Sequence, residues 1–192
     1  MFIVKPRIPE CGAIKDDNKM TMEQYSEIMK KQLGKEYLRF AGNVITIVTP
    51  DNNSKVLEIG PGPGWAGINL LKKRPDLVLD GIEASNDMIR VASVNAKNEG
   101  VGNRCNYKNG FAENMTELKD ATYDLVISRD SLHHWVDPEK VFLEIKRVLK
   151  PDGKIFICDS RRDLKLTGKL IVTISVISFL MVWVNTGKHQ LL

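Results

Sequence analysis

The chain has 192 residues, of which 43% are apolar and 27% charged, proportions that are typical of a globular protein with one core. With 28 Lys and Arg against 24 Asp and Glu the net charge is only +4, and no concentrated basic stripe supports nucleic-acid binding. The scattered cysteines Cys11, Cys105 and Cys158 form no C-x-x-C pair, which argues against a disulfide framework or a zinc site. Since no signal peptide is indicated, we expect a cytoplasmic protein.

The first 42 residues are predicted to form an irregular leader followed by an amphipathic helix. Pro and Gly interrupt residues 1–20. Between Thr21 and Phe40 apolar residues recur at spacings of three and four, which is typical of a helix with one packed face. We therefore treat residues 1–42 as a unit that precedes the main domain.

Strands and helices alternate over residues 43–163, the predicted main domain. The predicted strands are Lys55–Ile59, Leu77–Ile82, Arg104–Tyr107, Tyr123–Ile127 and Lys154–Cys158. Helices are predicted to start near Trp65 and after the N-caps Ser85 and Asp137. This alternation predicts a doubly wound, mostly parallel α/β sheet, in which ligands bind beyond the carboxyl ends of the strands.

A glycine-rich turn follows the first strand and carries Gly60, Gly62 and Gly64 at alternate positions. Because glycine has no side chain, the backbone can approach a bound molecule there, and the amide groups of the next helix favour an anionic ligand. Glu83 ends the second strand 19 residues beyond Gly64, a spacing that lets a carboxylate accept hydrogen bonds from a ribose. The combination predicts an adenosine-bearing ligand rather than a tight turn with a solvated acid.

Five collinear segments resemble the class I S-adenosylmethionine-dependent methyltransferases of small-molecule type. They are Val56–Gly64, Gly81–Ser85, Gly110–Met115, Tyr123–Trp135 and Leu143–Lys154. The resemblance covers about residues 55–160. It implies the Rossmann-like methyltransferase fold, S-adenosylmethionine as cofactor, S-adenosylhomocysteine as product and a small-molecule methyl acceptor.

The resemblance also implies cofactor-binding roles for individual residues. These are Glu58, Gly60, Gly62, Gly64, Glu83, Ala84, Phe111, Ala112, Glu113, Ser128 and Arg129. The family usually carries Asp at the position of Phe111, where the carboxylate accepts from the adenine amino group. Phe111 cannot do so, and its ring either stacks on the base or packs inward, while the Ala112 N–H remains able to reach the adenine edge.

Methyl transfer from a sulfonium is an in-line displacement that needs positioning and, for some acceptors, a base. The candidates are His133, His134 and Asp130, which follow the fourth strand, although a tethering loop and a solvated charge are the alternatives. No metal is expected, since no Cys/His cluster has ligand spacing.

Other functions remain open from the residues alone. Gly62–Gly67 satisfies G-x-G-x-x-G, as in nicotinamide oxidoreductases, but in the frame that starts at Gly60 the third glycine is replaced by Trp65. A cofactor-binding remnant without turnover is a second alternative, because Phe111 departs from the family pattern. Aminopropyl transfer is a third, although no acidic substrate pair supports it.

The last predicted unit, residues 164–192, contains an uncharged apolar run at residues 170–184. Its 15 residues span only about 22 Å as a helix, whereas a bilayer needs ~20 residues, so we expect a helix or strand that packs on the core. Membrane contact through this run stays an alternative. The remaining length is short for the family's C-terminal edge hairpin, and an exposed sheet edge favours a homo-oligomer.

Overall fold

A computed structural model of the chain describes residues 20–160 and the backbone of residues 179–182. Its strands are β1 (Lys55–Ile59), β2 (Val78–Glu83), β3 (Cys105–Asn109), β4 (Tyr123–Arg129), β5 (Leu149–Ser160) and β6 (Phe179–Val182). They form one sheet in the order β3-β2-β1-β4-β5-β6, in which β1 to β5 are parallel and β6 is antiparallel. The predicted doubly wound, mostly parallel α/β sheet is confirmed.

Four α-helices accompany the sheet in the described part of the chain. They are α1 (Met22–Asn43), α2 (Trp65–Lys73), α3 (Asn86–Asn98) and α4 (Pro138–Val148). The predicted N-caps are confirmed, since Ser85 Oγ accepts from the Met88 N–H at 3.3 Å and Asp137 Oδ1 from the Lys140 N–H at 3.2 Å. Helix α1 is longer than predicted and continues directly into a π-helical turn, Val44–Val48.

Two apolar layers sandwich the sheet because successive strand residues point to opposite faces. Val56 and Leu125 pack towards α1 and α2, whereas Leu57 and Val126 pack towards α4. The strands are therefore covered on both faces, which leaves the carboxyl edge of the sheet as the place where polar groups converge.

Strand β5 begins earlier than predicted, at Leu149 rather than Lys154. Leu149 pairs with Tyr123, and the next pair is Leu125 with Lys154, so the intervening residues of β5 bulge out of the ladder. Pro151 lies in this bulge, where its missing N–H costs no ladder hydrogen bond.

At the C-terminal side, the backbone of Phe179–Val182 pairs with residues 157–160 of β5. This short strand agrees with the expectation that the run 170–184 supplies a further strand. The leader 1–19, residues 161–178 and residues 183–192 lie outside the described residues, so the three-unit division stays an expectation. No helix in the described ranges is both long and apolar enough to cross a bilayer.

Candidate active site

A pocket of about 200 Å³ opens at the carboxyl edge of the sheet, where the strand order reverses between β1 and β4. The loop after β1, the ends of β2 and β4 and one side of α1 surround it. The site therefore lies where the sequence analysis predicted ligand binding.

The glycine turn after β1 has a backbone that other residues would not easily adopt. Gly60, Gly62 and Gly64 have φ values of 64°, 52° and 83°, in the left-handed region. A Cβ atom on Gly60 would also overlap Ser131 Oγ in the loop after β4. The turn thus lets the β1 and β4 loops approach each other and leaves a backbone-lined cradle.

Glu83 is buried at the end of β2 and organises this turn. Its Oε2 accepts from the Gly62 N–H at 3.0 Å, and its Oε1 accepts from the Ser85 N–H at 3.0 Å. A carboxylate offers about four lone-pair positions, so one such group can accept from several donors at once.

Glu58 is fully buried beneath the glycine turn. Its Oε1 accepts from the Gly67 N–H at 3.1 Å, and its Oε2 has no partner among the described residues. Burial raises the pKa of Glu58 to about 8, and the charge of Glu83 adds to the rise while the Gly67 hydrogen bond opposes it. A cation near Oε2 would favour the charged form.

The end of β4 supplies a second buried charge. The Arg129 guanidinium lies 4.5 Å from the ring centroid of Tyr37 on α1, and its Nη1 lies 2.8 Å from Asp130 Oδ2. Asp130 has φ 52°, an uncommon conformation for a residue with a side chain, and its N–H donates to Cys158 O. Ser128 stays within the sheet, since its buried Oγ donates to Ile59 O at 3.0 Å.

The loop after β3 forms the opposite wall of the pocket. Phe111 is 59% exposed and lines the pocket, so the inward-packing alternative is wrong. Ala84 and Ala112 line the same wall. Glu113 Oε1 accepts from the Val136 N–H at 2.7 Å, which ties this loop to the loop after β4.

The two candidate histidines have different surroundings. His133 Nδ1 lies 2.7 Å from Asp159 Oδ1, and its N–H donates to Asp159 Oδ2 at 3.0 Å. His134 lines the pocket, and the two rings are tilted by 46° with their centroids 3.9 Å apart. Sequence reasoning overlooked Asp159, although an acid that ends a strand next to β4 is a usable signal.

The structure brings most of the predicted residues together. The predicted residues that line the pocket are Glu58, Gly60, Gly62, Glu83, Ala84, Phe111, Ala112, Glu113, Arg129, Asp130 and His134. Gly64 starts α2 as its N-cap, and Ser128 and His133 lie beside the pocket. Trp65 packs as expected, with its Nε1 donating to Ser26 O at 3.1 Å.

The wall formed by α1 was missed by sequence reasoning. Its contributors are Tyr25, Met29, Leu33 and Tyr37. The apolar spacing was interpreted only as a face that packs on the core. The two tyrosines on that face are a signal that the same face also lines a ligand pocket.

The chemistry of these residues fits an S-adenosylmethionine-type cofactor. The glycine cradle accepts a ligand close to the backbone, and Glu83 can accept from a ribose. Glu58 Oε2 and Arg129 Nε and Nη2 are buried without a partner among the described residues, and they would match a cation and an anion of one ligand.

The family model described as methyltransferase domain matches residues 50–178. The chain therefore belongs to the methyltransferase domain family, and its fold is that of the class I S-adenosylmethionine-dependent methyltransferases. A Methanococcus maripaludis protein assigned to those methyltransferases has TM-score 0.68 and 25% identity over 83% of this chain and 74% of its own.

Among curated relatives, the uncharacterized methyltransferase YcgJ of Bacillus subtilis is 32% identical over 105 residues, 55% of this chain and 40% of YcgJ. The ubiquinone biosynthesis O-methyltransferase of Maricaulis maris is 26% identical over 141 residues, 73% of this chain and 53% of that enzyme. The chain thus spans about half the length of these relatives.

Proposed function

We propose that the chain binds S-adenosylmethionine in the pocket between β1 and β4 and transfers its methyl group to a small-molecule acceptor. The main support is the hydrogen bond from the Gly62 N–H to Glu83, which joins the glycine turn to its acidic partner. The chain in which this contact occurs belongs to the methyltransferase domain family. The cofactor would supply an activated methyl group on a sulfonium, so the protein mainly has to position the acceptor.

The cofactor contacts follow from the positions of the residues around the pocket. Glu83 would accept from the ribose, and Phe111, exposed at the mouth, would stack on the adenine beside Ala112. Glu58, whose buried Oε2 has no partner among the described residues, would compensate the positive end of the cofactor.

The α1 wall supports a small acceptor. Met29, Leu33 and two tyrosines line the same pocket as the glycine turn, so they offer an apolar and aromatic surface to a small organic acceptor beside the cofactor. Several relatives are named as ubiquinone biosynthesis O-methyltransferases, which also supports a small organic acceptor.

His134 is the base we assign for acceptors that must lose a proton. It lines the pocket, whereas His133 is held by Asp159 and the Asp130 carboxylate pairs with Arg129. An imidazole within hydrogen-bond reach of a hydroxyl can take its proton as the methyl group moves.

Calorimetric titration of the purified chain with S-adenosylmethionine, S-adenosylhomocysteine and NAD tests the proposal. We expect both sulfur compounds to bind at micromolar concentrations and NAD not to compete with them. Saturable NAD binding with no response to either sulfur compound would favour an oxidoreductase instead. Formation of S-adenosylhomocysteine with a panel of small phenols, amines and thiols then tests turnover, and binding without turnover on any acceptor favours the remnant.

A further inference from the structure

Arg129 lines the pocket and carries a buried guanidinium edge that is not hydrogen-bonded within the described residues. Its side chain is only 3% exposed, and its Nε and Nη2 atoms have no acceptor within residues 20–160. The remaining nitrogen, Nη1, pairs with Asp130. Leaving donors of a buried charge without an acceptor is costly, so this edge calls for a ligand.

Two other arginines of the same chain show what such an edge binds. Arg74 donates from Nε and Nη2 to the two carboxylate oxygens of Asp76 at 2.8 and 2.7 Å. Arg147 donates from the same two atoms to Glu144, also at 2.8 and 2.7 Å. This side-on fork matches the spacing of carboxylate oxygens, and in Arg129, which lines the pocket, the equivalent two atoms have no acceptor among the described residues.

The fork of Arg129 is held in place before any ligand binds. The Tyr37 ring supports one face of the guanidinium at 4.5 Å, and Asp130 holds Nη1 at 2.8 Å. A planar cation held at one face and at one nitrogen loses little freedom when it binds a planar anion.

The charges around the pocket favour a single negative charge as the ligand. Arg129 is the only Lys or Arg among the described lining residues, whereas four acids line the same space. These acids are Glu58, Glu83, Glu113 and Asp130. The last three would repel a phosphate dianion more strongly than a carboxylate, whereas Glu58, with its pKa raised to about 8, is largely uncharged at neutral pH.

We propose that the Nε–Nη2 edge of Arg129 is a carboxylate-binding subsite of this pocket, positioned by Tyr37 and Asp130. The inference rests on the proposed function, which gives two possible sources of the carboxylate. One is the α-carboxylate of the cofactor's methionyl group, and the other is an acceptor that itself carries a carboxylate.

The first arm compares S-adenosylhomocysteine with 5′-methylthioadenosine, which keeps the adenosine and thioether but lacks the amino-acid group. If the cofactor supplies the carboxylate, Arg129→Met should weaken S-adenosylhomocysteine binding about ten- to a hundredfold and leave methylthioadenosine binding unchanged. Arg129→Lys should restore only part of the affinity, since an ammonium cannot form the fork. The control Arg90→Met removes an exposed arginine of α3 and should change neither.

The second arm titrates wild type and Arg129→Met with acetate and benzoate, with and without S-adenosylhomocysteine. Carboxylate binding that depends on Arg129 while S-adenosylhomocysteine affinity does not would assign the subsite to the acceptor.

Equal binding of all four probes by the folded wild-type, Arg129→Met and Arg129→Lys proteins would overturn the proposal. If wild type binds no S-adenosylhomocysteine but binds carboxylates through Arg129, the proposed function fails while the subsite stands. If wild type binds neither S-adenosylhomocysteine nor the carboxylates, both the proposed function and the subsite are overturned. Melting curves identify a variant that does not fold, and Arg129→Lys, which keeps the charge, then carries the comparison.

Discussion

The backbone N–H of Gly62 donates to Oε2 of Glu83 across 3.0 Å, so the acid that ends β2 holds the turn that follows β1. The other oxygen of Glu83 accepts from Ser85, the N-cap residue of α3. One carboxylate therefore connects a loop, a strand and a helix start. The group expected to select the ribose also organises the loop that we propose receives the cofactor.

Replacing Glu83 with Ala should weaken S-adenosylhomocysteine binding about ten- to a hundredfold, or ~1.5–3 kcal/mol, because ribose hydroxyls and two backbone N–H groups lose a charged acceptor. Calorimetry on the folded variant measures the affinity. Glu117→Ala, on an exposed residue of the loop between β3 and β4, is the matched control and should bind as wild type does. An unchanged dissociation constant in folded Glu83→Ala would contradict ribose binding by Glu83 and leave it only the role of organising the loop.

Replacing Gly60 with Ala should lower both stability and cofactor affinity. Its φ of 64° costs a residue with a Cβ roughly 1–2 kcal/mol, and the new Cβ overlaps Ser131 Oγ. Gly34→Ala is the matched control, since Gly34 lies within α1 with no atom near its Cβ position, and Ala should stabilise the helix by up to ~1 kcal/mol. Urea denaturation of both variants checks the opposite signs, and a stabilised Gly60→Ala would contradict the assigned strain.

The buried carboxyl of Glu58 should make stability depend on pH. Its pKa is raised to about 8 in the folded chain from an ordinary value of 4.5, so the folded state holds a proton that the unfolded state releases. Stability from this group is complete below about pH 4.5 and is lost as the pH rises towards 8, at up to ~1.4 kcal/mol per pH unit. Urea midpoints measured without cofactor between pH 5 and pH 8 should fall less in Glu58→Gln than in wild type. Parallel pH profiles for the two proteins would show that Glu58 does not titrate in this window.

Truncation after Arg162 should destabilise the chain, because it removes the strand that pairs with residues 157–160 of β5. Those main-chain groups would then form an open edge, which favours association between copies. Thermal melting, light scattering and S-adenosylhomocysteine binding of the truncated chain measure the effect. If the shortened chain melts at the same temperature and binds equally well, the tail serves a membrane or a partner rather than the sheet.

Most of the fold was predictable because its signals are local. The boundaries of β1 and α2 agree with the predicted ones, since a short apolar strand, three glycines and a helical pattern follow one another without ambiguity. The start of β5 was predicted wrongly. Pro151 and Gly153 are typical of a turn, and only pairing of Leu149 with Tyr123 across a bulge extends the strand past them.

The convergence of the motif residues at one pocket was also predictable, because residues at strand ends meet at the same edge in any parallel sheet of this order. The role of α1 was not predictable, since the same apolar spacing serves a packing face and a ligand wall. The contact between Asp159 and His133 joins residues 26 positions apart, and only strand adjacency brings them together.

The sequence by itself therefore determined the strand and helix order, the glycine turn, its acidic partner and the family to which the chain belongs. Only the tertiary structure decided which buried charges lack a partner among the described residues. Whether a guanidinium edge such as that of Arg129 meets a carboxylate depends on what surrounds it in three dimensions. Arg74 and Arg147 have acids two or three residues away, whereas the neighbouring Asp130 pairs with Nη1 of Arg129, and Nε and Nη2 have no acceptor among the described residues.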